Sequence, residues 1–229
     1  MIKAVFFDWM NTLAHPEPDR YENIYRIAQE LGVELPPQRL MRGIYEAESQ
    51  VPAGAPPRWS EGKDEAPFIR WWEVLLVEVG VKLSREVMLQ ITRRLKQLSS
   101  SLTWALYDDV LPTVKTLKQR GLILGLITSM GKEVNLICNK LGIEPYLDFV
   151  VTAKEVGADK PEPSIFLAAL ERSGVKASEA VCVGDQYQTD VVGARGVGIT
   201  PVLIDRFDLM PEVSDCPRIH KLTEVTRYL

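Results

Sequence analysis

Histidine and cysteine are scarce in this sequence, which has two histidines and three cysteines among its 229 residues. Cys138, Cys182 and Cys216 lack the spacing of a zinc site, and their odd number argues against a complete set of disulfides. Cys182 lies in the apolar run VCVG, where the sequence predicts a small buried side chain and not a catalytic thiol. This use of cysteine favours a reducing, cytoplasmic compartment.

The sequence also lacks an excess of positive charge and any long apolar run. Its net charge of −4 differs from the basic footprint that is typical of nucleic-acid-binding proteins. Its most apolar stretches, LILGLI and WWEVLLVEVGV, are too short to span a membrane, and no basic region followed by an apolar signal segment opens the chain. We therefore expect neither nucleic acid nor a membrane as a partner.

Short continuous runs of Val, Ile, Leu and Phe predict strands that are covered on both faces, as in a parallel sheet. These runs are AVFFDW (4–9), LILGLIT (122–128), FVVTA (149–153), AVCVGD (180–185) and TPVLI (200–204). Helical patterns that end at a glycine separate the later strands. Strands and helices that alternate in this way predict a doubly wound, Rossmann-like α/β fold with a parallel sheet.

Residues 15–105 interrupt this alternation and contain no convincing strand. They read as amphipathic helices, with the Pro/Gly-rich loop VPAGAPPRWSEGKDE between the second and the third. We therefore predict an α/β core domain of residues 1–14 and 106–229 and an inserted all-helical cap domain of residues 15–105. Trp71 and Trp72 could line a substrate pocket in this cap, although adjacent helix positions point in different directions and at least one should pack the core.

Polar side chains stand where the predicted strands of the core end. They are Asp8, Thr128, Ser129, Lys160, Asp185 and Asp190. Because ligands of open α/β sheets bind beyond the carboxyl ends of the strands, we expect these groups to lie in one crevice. Carboxylates in close proximity repel unless a cation neutralises them, and a set of oxygen donors suits Mg²⁺ better than zinc. A magnesium ion, a lysine and a threonine hydroxyl around a carboxylate would also receive a phosphate group.

Four segments carry a resemblance to a known family. The segments FFDWMNTL, LGLITS, GADKPEPSIF and VCVGDQYQTD, in this order, resemble the four motifs of the haloacid dehalogenase-like hydrolase superfamily. The helical insertion after the first motif resembles the cap of subfamily I of that superfamily. The resemblance spans nearly the whole chain, and its strength lies in the order and spacing of the motifs.

The resemblance implies a role for each matching acidic residue. Asp8 would be the nucleophile and would form an aspartyl intermediate. Asp8 and Asp185 would bind Mg²⁺ together with the main-chain carbonyl of Met10. Asp190 would be a further acidic residue that supports the metal.

The resemblance also implies a set of substrate-binding residues. Thr128 and Lys160 would hold the phosphoryl oxygens and take part in catalysis, and Lys160 would also restrain Asp8. Ser129 is a further candidate for contact with the substrate. Asn11 is also a candidate substrate-binding residue. It replaces the usual glycine of the motif, and asparagine is among the few other residues that accept a left-handed backbone.

Met10 departs from the phosphatases of the family, which carry a second aspartate at this position. That aspartate protonates the leaving group and then activates water, and losing such a group typically costs about 10²–10⁴-fold in rate. His15 could supply the proton, although the turn AHPEP predicts an exposed histidine without this role. Dehalogenases of the family tend to have tyrosine there and generally lack both the metal and the sequence Gly184-Asp185. Phosphonate hydrolases have alanine there and need a cap lysine, for which the cap offers Lys63, Lys82 and Lys96.

The sequence thus predicts a Mg²⁺-dependent hydrolase that acts on a small phosphorylated metabolite in a crevice between core and cap. The alternative is a degenerate member of the family that binds a phosphorylated ligand or partner with little turnover, which Met10 favours. A further alternative is chemistry like that of the 2-haloacid dehalogenases or phosphonate hydrolases. The substrate, the cap residues that select it and the oligomeric state stay open.

Overall fold

The computed structural model describes residues 1–51, 65–99 and 103–229. Most of the loop VPAGAPPRWSEGKDE, including Lys63, lies outside the described residues. Within them, no helix is both long enough and apolar enough to cross a membrane.

The chain divides into two compact units. One consists of Met1–His15 with Trp104–Leu229, and the other consists of Pro16–Thr103. We call them the α/β unit and the helical unit. The boundaries that the sequence pattern predicts, 14/15 and 105/106, lie one and two residues away from these.

The strands and helices follow one another along the chain in an order that the apolar runs largely predict. The strands are β1 (Ala4–Phe7), β2 (Ala14–Glu17), β3 (Thr103–Leu106), β4 (Ile123–Thr128), β5 (Phe149–Thr152), β6 (Ala180–Gly184), β7 (Thr200–Ile204) and β8 (Arg218–Ile219). The helices are α1 (Arg20–Glu30), α2 (Pro37–Gln50), α3 (Ala66–Val79), α4 (Arg85–Ser99), α5 (Val110–Gln119), α6 (Glu133–Lys140), α7 (Ala153–Val156), α8 (Pro163–Ser173) and α9 (Val192–Gly196).

A six-stranded sheet with the order β5-β4-β1-β6-β7-β8 forms the centre of the α/β unit. All neighbouring strands in it are parallel. The first strand of the chain, β1, therefore lies in the middle, between β4 and β6. The order of the strands reverses at this point, so the loops that follow β1, β4 and β6 meet beyond the same edge of the sheet.

Helices cover both faces of this sheet. Phe7 of β1 lies in the same buried cluster as Val114 of α5, whereas its neighbour Phe6 lies in a second cluster with Phe166 of α8. Successive side chains of a strand point to opposite faces, so each strand needs apolar residues at every position. The predicted doubly wound α/β fold is confirmed. Cys182 of β6 is buried in the second cluster, and burial raises the pKa of its thiol, which disfavours the reactive thiolate.

The helical unit has an apolar core of its own. Trp71 and Trp72 of α3 are completely buried in it, and the indole of Trp72 donates to the hydroxyl of Thr92 at 2.9 Å. The suggestion that one of these tryptophans lines a substrate pocket is therefore wrong, because neither ring is open to a ligand. Ser84 caps the start of α4, since its hydroxyl accepts a hydrogen bond from the amide of Val87 at 3.3 Å.

Short strands are where the sequence-based prediction fails. The chain forms β2 and β3 at the two edges of residues 15–105, where we expected no strand, and these pair as a two-stranded sheet. The prediction also missed β8 and α7. The sequences AHPE of β2 and RI of β8 carry too little apolar pattern to be recognised as strands.

Candidate active site

Asp8 lies directly beyond the central strand β1. Its main-chain amide continues the strand pairing by donating to the carbonyl of Val183 at 2.9 Å. Its side chain is 11% exposed and accepts a hydrogen bond from the ammonium of Lys160, with 2.5 Å between Nζ and Oδ1. A carboxylate can therefore follow this apolar strand in the middle of the sheet because it meets a buried cation there.

Lys160 joins two carboxylates that come from different parts of the chain. It follows α7, and its ammonium also contacts Oδ1 of Asp190 at 2.6 Å. Burial alone would lower the pKa of this ammonium, but the charges of Asp190 and Asp8 outweigh burial and hold the pKa above its usual value. Lys160 is therefore charged at neutral pH and acts as a fixed positive centre.

Asp190 is held by an unusual segment of backbone. It lies in a π-helix, Tyr187–Val191, where the sequence suggested an ordinary helix; such turns are frequent at functional sites. Its second oxygen, Oδ2, accepts from the main-chain amide of Gln186 at 3.0 Å. A Cβ atom on Gly184 would lie 2.2 Å from Cγ of Asp190, so only glycine leaves room for this side chain. The glycine of the sequence VGD is thus explained by the packing of Asp190.

Asp185 follows β6 and meets Asn11 from the loop after β1. The amide nitrogen Nδ2 of Asn11 donates to Oδ2 of Asp185 at 3.2 Å. Asn11 has φ 58°, the left-handed conformation for which asparagine is better suited than most residues. Burial is the main cause that raises the pKa of Asp185 well above its ordinary value, and the nearby Asp8 and Asp190 add to it.

The three carboxylates form a cluster that could hold a metal ion. Asp8, Asp185 and Asp190 each offer one oxygen, and these oxygens lie within 4.8 Å of one another. With the Lys160 ammonium included, the fully ionised cluster has three negative charges and one positive charge, and therefore a net charge of −2. Burial, together with the charge of Asp190, raises the pKa of Asp8 to about 6, and Lys160 only partly offsets them. The cluster is thus poised to take up protons or a divalent cation.

Thr128 and Ser129 lie at the end of β4, and their hydroxyls are engaged differently. The Thr128 hydroxyl is buried and accepts from the amide of Met130 at 3.1 Å, which leaves its own proton available for donation. Ser129 is exposed and donates its proton to Oδ1 of Asp159 at 2.6 Å. The same Asp159 oxygen accepts from the amide of Lys160 at 2.8 Å. Ser129 therefore connects the loop after β4 to the loop that carries Lys160.

Met10 is half-buried, and its side chain packs against the apolar cluster on one face of the sheet. Its backbone forms an isolated bridge with Ala14. The prediction of an exposed histidine in a turn is wrong for His15, which lies in β2, is half-buried and has its ring centroid 4.8 Å from that of Tyr107.

Two residues near the cluster were missed by reasoning from the sequence. Asp159 directly precedes Lys160, and its side chain makes the contacts just described. Arg206 follows β7 and donates to the main-chain carbonyls of Asn11 and Thr12. A signal existed for the second, because TPVLI is also a predicted strand and the polar pair Asp205-Arg206 follows its end.

Comparison with known proteins identifies the family. A family model described as haloacid dehalogenase-like hydrolase matches residues 2–198. The haloacid dehalogenase-like hydrolase domain-containing protein 3 of Danio rerio is 27% identical over 228 residues, which cover 96% of this chain and 92% of that protein. A glyceraldehyde 3-phosphate phosphatase of Methanopyrus kandleri is 32% identical over 215 residues, or 90% of this chain and 85% of that protein.

A solved structure agrees with these relatives. The HAD phosphatase from Thermococcus onnurineus has a TM-score of 0.60 and 28% sequence identity, with 99% of this chain and 97% of that chain covered. The match to the family model extends over much more than half of the residues and includes every member of the acidic cluster. This chain belongs to the haloacid dehalogenase-like hydrolases and is an enzyme of the hydrolase class.

Proposed function

We propose that the protein is a Mg²⁺-dependent phosphohydrolase that acts on a small phosphorylated metabolite, with Asp8 as the nucleophile. The observation that carries the proposal is the cluster of Asp8, Asp190 and the half-buried Asp185, in which the Lys160 ammonium binds Asp8 and Asp190. A divalent cation would neutralise the excess negative charge of this cluster, after which an anionic phosphate could approach a carboxylate. The similarity to a glyceraldehyde 3-phosphate phosphatase supports the substrate class.

The donor atoms fit magnesium. They are oxygens, the ligand type that Mg²⁺ prefers, and Asp8, Asp185 and the main-chain carbonyl of Met10 would hold the ion. Both oxygens of Asp190 already accept hydrogen bonds, from Lys160 and from the amide of Gln186, so Asp190 would mainly support the site by fixing its neighbours. When bound, the ion offsets the negative charge of nucleophile and substrate and polarises the phosphoryl group.

Asp8 would carry the phosphoryl group between two displacement steps. Its carboxylate oxygen attacks phosphorus, the bond from phosphorus to the ester oxygen breaks, and an acyl phosphate forms on Asp8. Water then attacks phosphorus, which releases inorganic phosphate and restores the carboxylate. Lys160 holds Oδ1 of Asp8 and so fixes the direction of the carboxylate. The leaving oxygen must take its proton from water, because Met10 has no titratable proton.

The same contacts rank the proposed substrate-binding residues. Thr128 and Lys160 would hold phosphoryl oxygens, because the buried Thr128 hydroxyl keeps its proton and Lys160 is charged. Asn11 uses one amide proton on Asp185 and has a second for a ligand. The only hydroxyl proton of Ser129 is engaged in its hydrogen bond to Asp159, so Ser129 is a weaker donor to phosphate than Thr128.

A substrate screen tests the proposed activity. We expect the wild-type protein to release inorganic phosphate slowly from a panel of small phosphate esters, including glyceraldehyde 3-phosphate, when Mg²⁺ is present. Asp8→Asn should reduce this release to the background rate, because an amide of the same size cannot act as the nucleophile. Phosphate release is measured at several enzyme concentrations for both proteins.

A second variant controls for effects of changing any aspartate. Asp148 forms a half-exposed ion pair with Lys118, 2.7 Å long and outside the cluster, so Asp148→Asn should keep the wild-type rate. If Asp8→Asn hydrolyses the panel as fast as the wild-type protein does, the activity does not belong to this site and the proposal fails.

Magnesium should stabilise the protein more at neutral than at acidic pH. The pKa of Asp8 rises from 3.8 to about 6 on folding, so between these values the folded state binds more protons than the unfolded state. Stability without metal therefore falls as pH rises through this window, and Mg²⁺ recovers it by replacing protons. Below about pH 6, each further pH unit should weaken Mg²⁺ binding about tenfold, or about 1.4 kcal/mol, which lowers the Mg²⁺-induced gain in Tm by roughly 3–6 °C.

The measurement is the change in Tm on adding saturating Mg²⁺ at about pH 5 and about pH 7.5. Asp185→Asn should gain little from Mg²⁺ at either pH, because it removes a proposed ligand. Equal gains for the wild-type protein at the two pH values would show that the ion does not compete with protons at these carboxyls.

Met10 favours a second function, in which the protein binds a phosphorylated ligand or partner and turns it over negligibly. This second function would be supported if the protein binds a phosphate ester of the panel but releases no inorganic phosphate from it.

Phosphonate hydrolysis and dehalogenation have less support from the described residues. Lys82 is exposed and so is not desolvated, and Lys96 already has an aromatic partner, since its ammonium lies 4.3 Å from the ring centroid of Phe68. Halide release from 2-haloacids without metal would instead indicate a dehalogenase.

A further inference from the structure

Arg206 reaches from the end of β7 to the loop that follows β1. Its Nε donates to the main-chain carbonyl of Asn11 at 3.1 Å, and its Nη2 donates to that of Thr12 at 2.7 Å. These are the two carbonyls directly after Met10. The guanidinium therefore binds the backbone of the segment that connects Asp8 to the rest of the chain.

The other side of the guanidinium is fixed as well. Asp109 accepts from Nη1 and Nη2, each at 3.0 Å, in the two-bond arrangement that arginine and carboxylate form best. Asp109 also accepts from the amide of Leu222 at 2.7 Å, and the ring of Tyr107 lies 3.9 Å from Cζ of Arg206. The Arg206 side chain is only 8% exposed, so these hydrogen bonds are shielded from water.

The loop has an unusual backbone that needs such support. Asn11 is in the left-handed region, and its amide donates to the carbonyl of Ala14, while the amides of Leu13 and Ala14 both donate to the carbonyl of Trp9. The carbonyls of Asn11 and Thr12 accept hydrogen bonds from Arg206. A buried carbonyl that loses its partner is energetically costly, so the loop would change conformation without the arginine.

We propose that Arg206, paired with Asp109, is a positioning residue that holds residues 10–13 in the conformation in which the Met10 carbonyl can serve the proposed magnesium site and the Asn11 amide donates to Asp185. The proposal builds on the proposed magnesium site, because the Met10 carbonyl is one of its ligands there. The Asn11 contact to Asp185, 3.2 Å long, is the visible link between the clamped loop and the acidic cluster. Arginine is required because a lysine ammonium cannot bind two carbonyls and a carboxylate in one plane.

The same region offers a matched control pair. Arg218 contacts Asp205 at 2.9 Å, and Asp205 accepts from the amides of Leu209 and Met210. This is a second arginine–aspartate pair with a buried carboxylate that binds main-chain amides, but its contacts are with residues 205–210 and not with the loop after β1. Arg206→Lys and Arg218→Lys thus make the same chemical change at two places.

Hydrogen exchange measured without metal tests the positioning role directly. We expect Arg206→Lys to speed exchange of the amides of Asn11, Leu13 and Ala14 by about tenfold or more, since each buried hydrogen bond lost is of order 1 kcal/mol. Arg218→Lys should leave these amides as in the wild-type protein. Unfolding by denaturant is measured for each variant, so that a loss of global stability is separated from local opening.

Calorimetric titration with Mg²⁺ provides the second readout. Changes in groups that orient metal ligands typically weaken metal binding 10–100-fold, and we expect about this loss for Arg206→Lys and none for Arg218→Lys. If Arg206→Lys does not fold, Asp109→Asn takes its place, because its amide oxygen can still accept from Leu222, while the negative charge and one of the two acceptor oxygens for the guanidinium are lost. It should give faster exchange at the same three amides.

The outcomes separate this inference from the proposed function. The positioning role is overturned if Arg206→Lys leaves the exchange rates of the Asn11, Leu13 and Ala14 amides unchanged. It is also overturned if Arg218→Lys raises these rates equally. Wild-type protein that takes up no Mg²⁺ would instead overturn the proposed function, while the exchange pattern would still decide the role of Arg206.

Discussion

Replacing Met10 by aspartate is expected to raise phosphatase turnover by about 10²–10⁴-fold, because it supplies the proton donor and acceptor that the wild-type site lacks. In the proposed reaction the leaving oxygen and the attacking water must otherwise exchange protons with solvent. The measurement is phosphate release with saturating Mg²⁺, compared for Met10→Asp and the wild-type protein on the best ester of the panel.

The structure gives two reasons to expect that the chain tolerates this change. Met10 is only half-buried, so a carboxylate in its place can stay hydrated, and the bridge to Ala14 involves the backbone alone. Thr12 is completely buried, and in the described part of the chain its hydroxyl has no hydrogen-bond partner. A carboxylate two residues away could accept a hydrogen bond from it.

Two controls determine whether a gain comes from proton transfer. Met10→Asn introduces a polar side chain of the same size as aspartate but without a titratable proton, and this variant should stay near the wild-type rate. Met10→Asp combined with Asp8→Asn should be inactive, because the nucleophile is missing. If Met10→Asp folds and binds Mg²⁺ but turns over no faster than the wild-type protein, Met10 is not the missing acid and base.

Lys160→Met is expected to destabilise the fold by about 3–5 kcal/mol at neutral pH, because it leaves buried carboxylates without their cation. The Asp8 and Asp190 side chains lie at 2.5 and 2.6 Å from the ammonium and are 11% and 3% exposed. Methionine fills a similar volume, so the loss reports the charge more than the packing. Urea unfolding monitored by circular dichroism gives the free energy for both proteins.

The pH dependence and a matched pair make this prediction specific. The loss should shrink as pH falls below about 6, where protonation neutralises the Asp8 carboxyl that the lysine no longer pairs. Lys118→Met breaks a lysine–aspartate pair of similar length, 2.7 Å, whose side chains are 32% and 39% exposed. It should cost less than about 1 kcal/mol. Equal costs for the two variants would show that the buried lysine does not act as a counter-charge.

The apolar runs predict most of the α/β unit because a strand buried on both faces must be apolar at every position. Asp8, Lys160, Asp185 and Asp190 could be found for a related reason, since polar residues at the ends of such strands meet at one edge of the sheet. This argument gives proximity but no contacts. It could not predict that Lys160 bridges Asp8 to Asp190, nor that Gly184 is needed to admit the Asp190 side chain.

What the sequence could not reveal depends on partners that are far apart in the chain. The loop after β1 is held by Arg206, 194 residues beyond Thr12, and no local pattern signals that pairing. The π-helix around Asp190 has the polar and apolar spacing of an ordinary helix, and its extra residue per turn follows from tertiary contacts. The short strands β2 and β3 likewise exist only because each pairs with the other.

The central place of β1 has a consequence for how the chain folds during synthesis. Its four residues are made before both of their neighbours in the sheet, which begin only at Ile123 and Ala180. The nascent chain must therefore keep an apolar segment, AVFF, unpaired while more than one hundred further residues are made, and unpaired strand edges invite aggregation. Because Asp8 adjoins this segment, the cluster of Asp8, Asp185 and Asp190 can assemble only when the α/β unit is nearly complete.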